Sequence, residues 1–144
     1  MKKKILFLWM GLLTAGNSGW AAPFTDNGNS TVTDSATGLV WQQTDGGQKT
    51  WENALTYCEG LSLGGATDWR LPNRNELQSL VDYSKSNPAI DTTAFPNTNS
   101  SYYWSSSAYA SNTSYAWGVN FNRGYVFSDN KTVSDYVRCV RGGQ

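Results

Sequence analysis

The sequence predicts an α+β fold, and three observations carry that expectation. Two segments in the first half place apolar residues at helical spacing, the second half is dominated by short runs that alternate every two residues, and strand-like runs flank the whole at both ends. Helices set apart from strands, without a repeating strand–helix–strand order, imply antiparallel sheets rather than a doubly wound parallel one. Only 15% of the 144 residues are charged, whereas there are seven Trp, eight Tyr and five Phe. Aromatic rings must therefore supply much of the buried surface, which excludes a disordered chain.

The chain begins with Lys2, Lys3 and Lys4, runs through the apolar stretch Ile5 to Gly16 and reaches the small residues of GWAA, Gly19 to Ala22. That three-part layout is a secretory signal peptide over residues 1–21, with cleavage after Ala21. Its apolar stretch covers 12 residues, against roughly 20 for a helix that spans a bilayer. Cleavage would lower the basic residues from 11 to 8 against 11 acidic ones, a net charge of −3. A mildly acidic domain over residues 24–142 disfavours nucleic acid and anionic membranes as bulk partners, and no membrane insertion is expected after cleavage.

The first element expected is a hairpin, TVT and LVW separated by the turn-rich Asp34 to Gly38. Ahead of it, Asp26, Asn27, Gly28 and Asn29 read as a solvated turn or as a cation site, without the spacing of an EF-hand. Thr50 to Leu63 carries Trp51, Ala54, Leu55, Cys58 and Leu61 on one helical face, capped by Thr50 and stopped at Gly64 and Gly65. Next comes DWRLPNRNELQSLVDY, Asp68 to Tyr83. Trp69 belongs in the core, and Pro72 keeps Leu71 out of helical geometry. Asn73 caps the second helix and Glu76 closes a capping box, while Leu77, Leu80 and Val81 form the buried stripe. Arg70 has two candidate partners, Glu76 and Asp82.

Residues 84–101 read as a long surface loop tethered by Ile90 and Phe95. Four strands are expected beyond it: YYWSSS with Trp104, YAWGVNF with Trp117, GYVFS, and YVRCVRG from Tyr136 to Gly142. In the second, Tyr115, Trp117, Val119 and Phe121 alternate with small or polar residues, the pattern of a half-buried strand. The turn Asn122 to Gly124 joins it to the third.

The two cysteines, Cys58 on a helix and Cys139 on the last strand, imply one disulfide in an exported chain; free or metal-binding thiols are the alternative. The 144 residues contain no histidine, which removes both the commonest general base and the commonest zinc ligand. No cofactor and no metal site are expected.

Taken in order, TVTDSATGLVWQ, WENALTYCEGL, DWRLPNRNEL, FPNT, YWSSS, AWGVNF and YVRCVR resemble the C-terminal domain of the Legionella collagen-like adhesin family over about residues 24 to 142. The resemblance implies a C-type-lectin-like fold, similar also to formylglycine-generating enzymes, on exported or surface proteins. No collagen-like tract precedes the domain here, so trimerisation by such a stalk does not carry over.

Three functions follow. The first is an exported, non-catalytic binding or adhesion module, secreted or periplasmic, for glycans or another cell-surface ligand. Its candidate ligand-binding residues are Tyr103, Asn120, Asn122, Arg123 and Tyr125, since aromatic faces stack on sugar rings and Asn and Arg donate directional hydrogen bonds. Calcium-dependent sugar binding is not expected, because neither a Glu-Pro-Asn nor a Trp-Asn-Asp motif is present. The second is a structural or assembly component of an envelope complex. The third, an enzyme of the formylglycine-generating type, would need a closely spaced reactive cysteine pair, or a carboxylate pair such as Asp68 with Glu76 or Asp82.

Overall fold

A computed structural model describes residues 23–143; the signal-peptide expectation for residues 1–21 lies outside them. The fold is α+β, with two sheets and two helices. The first sheet contains β1 (Phe24–Asp26), β2 (Thr31–Asp34), β3 (Val40–Gln42) and β9 (Val140–Arg141) in that spatial order, all antiparallel. The second contains β4 (Gln48–Lys49), β8 (Asp135–Tyr136), β5 (Tyr102–Ala108), β6 (Tyr115–Asn120) and β7 (Tyr125–Asn130), with one parallel contact between β5 and β8. Both ends of the described chain thus meet in one sheet.

The expected hairpin is β2–β3. Its turn closes through the Gly38 N–H donating to Asp34 O at 2.8 Å, with Gly38 at φ +74° where a side chain would be strained. The Asp26–Asn29 cluster is also a turn. Asp26 accepts from the Gly28 N–H and from Gln43, and Asn27 and Asn29 exchange hydrogen bonds with Thr31 and Thr33. Those oxygens are committed inside the protein, and no group of three or more His, Cys, Asp or Glu is placed to hold a metal among the described residues.

α1 (Trp51–Glu59) is shorter than its apolar spacing predicts. It stops at Gly60, and the glycines at 64 and 65 instead turn a small loop closed by Leu63 and Ala66. Thr50 stands at the cap position but its side chain makes no capping bond. Cys58 is buried on this helix and bonded to Cys139, with Cα atoms 5.5 Å apart. α2 (Arg74–Gln78) starts where the sequence predicts but ends at Gln78, so of the expected stripe Leu77 is on the helix while buried Leu80 and half-buried Val81 lie beyond it. Asn73 Oδ1 accepts from the Glu76 N–H at 2.8 Å, and Glu76 Oε1 accepts from the Asn73 N–H at 2.9 Å.

Two apolar clusters hold the elements together. One joins both sheets to α2 through Val32, Trp41, Leu77, Leu80, Ile90, Phe95, Tyr103, Val119 and Phe121. The other lies under α1 and contains Ala54, Cys58, Trp69, Trp104, Ala116, Val137 and Cys139. Ile90 and Phe95 are the buried tethers of the long loop, as expected. Phe95 also covers the buried guanidinium of Arg138, which lies 4.8 Å from that ring and donates to Gln43 O and Thr98 Oγ1.

Two strand expectations are corrected. In β6 the buried set is Ala116, Gly118, Val119 and Asn120, whereas Tyr115 and Trp117 are only half-buried. The small residues are the covered ones: a Cβ at Gly118 would overlap Tyr103 O and the Phe127 ring. Tyr136 to Gly142 is not one strand but a crossover. Asp135–Tyr136 pairs in the second sheet and Val140–Arg141 in the first, and the intervening residues carry the disulfide across the gap.

Candidate functional site

The charged segment Asp68 to Glu76 is tied into the fold. Arg70 meets Glu76 through a two-pronged ion pair, Nη1 to Oε1 at 2.7 Å and Nη2 to Oε2 at 2.6 Å, and also donates to Gly142 O. Of its two candidate partners Arg70 therefore takes Glu76, because the capping box holds that carboxylate beside it. Asp68 pairs with Arg141, Nε to Oδ1 at 2.6 Å. Arg70 and Val140 exchange backbone hydrogen bonds, both at 2.9 Å, and the Trp69 indole donates to the carbonyls of Leu63 and Ala66. The hydrogen bonds from Arg70 hold the Glu76 carboxyl below its usual value, and those from Arg141 do the same for Asp68. Asp82 turns to Ser84 and Lys85. These three carboxylates face cations or hydroxyls rather than one another, which is not a general acid–base arrangement.

The candidate ligand-binding residues sit at one end of the second sheet. Tyr102, Asn120 and Tyr125 are direct ladder partners across β5, β6 and β7, and so are Trp104, Gly118 and Phe127. Ladder partners share a face. α1 and its cluster cover that face at Trp104 and Ala116 and leave it open at Tyr102 and Tyr125, which are 41% and 49% exposed. Tyr102 packs edge-on against Phe127 with ring centroids 4.7 Å apart. Asp129 lies on the same face as the ladder partner of Ala116.

Each candidate has a definite place. Tyr103 is fully buried, with its hydroxyl donating to Asp45 Oδ2 at 2.8 Å and accepting from the Asn99 N–H; in this position it offers a ligand no ring face. Asn120 is 5% exposed and spends both amide ends inside, Nδ2 donating to the Tyr125 hydroxyl at 2.8 Å and Oδ1 accepting from the Asn122 N–H at 2.8 Å. It positions the platform. Asn122 bonds Ser100 and its carbonyl accepts from Asn87, pinning the long loop. Arg123 is exposed at the β6–β7 turn, and Tyr125 is on the open face. Of the structural tryptophans, Trp104 is buried and donates to Lys49 O, while Trp117 is at a surface cleft.

Sequence reasoning missed Tyr102, the immediate neighbour of the residue it selected, and the carboxylates that border it. Asp135 is 5% exposed and its Oδ2 has no hydrogen-bond donor. Burial, and then the adjacent Asp129 carboxylate, push the Asp135 pKa from 3.8 up to about 7. The Tyr102 phenol is raised too, first through its contact with the Tyr125 hydroxyl and further by the charges of Asp129 and Asp135. An Asp at a strand position carries no burial signal in the sequence, so nothing marked Asp135 in advance.

On the opposite face, α2 and the end of β5 frame a cleft of about 380 Å³ lined by Asn73, Arg74, Asn75, Ser107, Ala108 and Trp117. The Arg74 guanidinium lies 4.9 Å from the Trp117 ring, and Tyr109 meets that ring edge-on at 4.9 Å.

The family model described as the Lcl C-terminal domain matches residues 30–141. No curated protein matches the chain.

Proposed function

This chain belongs to the Lcl C-terminal domain family, and from that premise we propose that it is an exported, non-catalytic adhesion module that recognises neutral glycans through the Tyr102–Tyr125 face. The family makes it an adhesin-related module; the ligand and the export are our reading. Cys58–Cys139 supports the export, since structural disulfides form in oxidising compartments. Among the described residues no helix is long and apolar enough to cross a membrane.

One observation carries the ligand class: two exposed tyrosines held side by side on a rigid sheet, with the Asp129 and Asp135 carboxylates near Tyr102. Tyrosine rings stack on the C–H faces of sugars, and carboxylates accept hydrogen bonds from sugar hydroxyls. The same carboxylates repel sulfated or uronate-rich chains. A glycan array probed with the oxidised protein, with and without calcium, tests this. Signal on neutral glycans that disappears in Tyr102→Ala and Tyr125→Ala is the expected result. No signal above background, or signal confined to sulfated glycans, overturns the reading.

An assembly role in an envelope complex is the second reading. The same exposed tyrosines favour it, because a contiguous aromatic patch also suits a protein interface.

A further inference from the structure

The cleft behind the platform holds a cation with nothing to meet. Arg74 donates its backbone N–H to Ser107 Oγ at 3.0 Å, but among the described residues its guanidinium makes no hydrogen bond or ion pair. It lies over the Trp117 ring at 4.9 Å from the centroid, and Trp117 is itself braced by Tyr109 and held in the ladder between Ala116 and Gly118. A guanidinium stacked on an indole keeps the in-plane N–H groups at its edge free, and pays little ordering entropy when they are used.

Nothing in the wall supplies a counter-charge. The six lining residues include no Asp or Glu, and the acid nearest in sequence, Glu76, is engaged by Arg70 and by the Asn73 N–H. The remaining polar groups are amides and a hydroxyl. Asn73 Oδ1 is taken by the Glu76 N–H, which leaves its Nδ2 donor without a partner, and the Asn75 side chain is exposed and unbonded among the described residues. A cleft of about 380 Å³ with one fork-shaped cation and flanking amide donors fits a small, planar, singly charged acceptor. That is a carboxylate, which a guanidinium binds through two parallel N–H···O bonds.

We propose that this cleft is a second binding site, taking a carboxylate carried on a small ligand, with Arg74 as its anchor and Trp117 as the support that orients Arg74. It is independent of the tyrosine platform, which lies on the other face of the sheet. The carboxylate could belong to a sugar acid or to a peptide, and paired probes separate the two.

The test is a ¹⁵N-detected NMR titration of the oxidised protein with glucuronic acid against glucose, and with N-acetylglycine against N-acetylglycinamide. Saturable shifts at the Trp117 indole N–H and the Asn73 and Asn75 side-chain amides, from either acid and from neither neutral counterpart, are expected; the acid that binds more tightly identifies the source. Arg74→Gln should remove the saturation, and Arg74→Lys should weaken it at least fivefold, because an ammonium keeps the charge but not the fork. Tyr102→Ala should leave it unchanged, so failure here is distinct from failure of the platform. Should Arg74→Gln lose its dispersed spectrum, Arg74→Lys carries the comparison alone. Shifts that persist in the folded variants, equal shifts from the neutral probes, or tighter binding of glucose 6-sulfate than of either acid would overturn the proposal.

Discussion

Around Arg70, carboxylates meet guanidinium groups; on the face around Tyr102, two carboxylates meet each other. Glu76 and Asp68 are held below their usual pKa by Arg70 and Arg141, whereas Asp135 is raised to about 7 by burial and by Asp129. The two regions therefore contribute to stability with opposite pH dependence. A carboxyl lowered on folding stabilises above its unfolded pKa, and that contribution disappears as pH falls through the folded value. A carboxyl raised on folding stabilises fully below its unfolded pKa, and the contribution is lost as pH climbs to the folded one. The first region belongs to the fold, and its charges cancel. The second holds polar groups that the fold leaves uncompensated, which is where a ligand can contribute.

The largest effect should come from the bridge that ties α1 to the crossover ahead of β9. Closing a loop between positions separated by 81 residues stabilises by about 4–5 kcal/mol on the chain-entropy estimate. Reduction, or Cys58→Ser with Cys139→Ser, should lower the urea midpoint by that equivalent at every pH between 4 and 8. An unchanged midpoint would mean that the crossover is held by packing alone.

Next is Glu76→Ala, which leaves Arg70 half-buried without its partner and removes one arm of the capping box. A loss of about 2–3 kcal/mol at pH 7 is expected, shrinking only in more acidic solution, as pH falls below the ordinary carboxyl range through the lowered native value. Glycan binding should persist in the folded fraction. Loss of binding at full folding would move the recognition surface to this segment and undo the comparison.

Asp135→Asn tests the other side. Below pH 4 the variant and the parent should be equally stable, since a neutral amide replaces a neutral acid. By pH 8 the variant should be ahead by about 2–3 kcal/mol, less than the same rise in pKa would give at full burial. Melts at pH 4, 6 and 8 check this. A variant less stable at pH 8 would mean that the ionised Asp135 has a cation partner.

How much of this was legible in the sequence follows from the same contrast. DWRLPNRNEL could be read residue by residue because its signals are local: Pro72 bars the helix before it, and Asn73 and Glu76 cap within one turn. The disulfide was legible from the count of two cysteines together with the expectation of an exported chain. The end of α1 was not, since Leu61 continued the apolar spacing while Gly60 and the Leu63–Ala66 bridge ended the helix earlier. The split of Tyr136 to Gly142 depends on which sheet each half joins, a long-range fact. Arg74 had no signal in the sequence, because its contact with Trp117 joins residues 43 apart in the chain.

Tyr102 should show the smallest effect on stability and the largest on binding. Tyr102 and Tyr103 are consecutive and chemically identical, and alternation places them on opposite faces without saying which is open. Pairing Tyr102 with the buried Trp104 two residues on would even bury the wrong one. The sheet resolves this because α1 covers Trp104 but stops short of Tyr102, so one face is core at one end and surface at the other. Tyr102→Ala removes an exposed ring resting edge-on against Phe127 and should cost no more than about 1 kcal/mol, while neutral-glycan binding falls at least tenfold. A matched loss of stability and binding would instead place Tyr102 with the packing residues, and would leave recognition on that face to Tyr125.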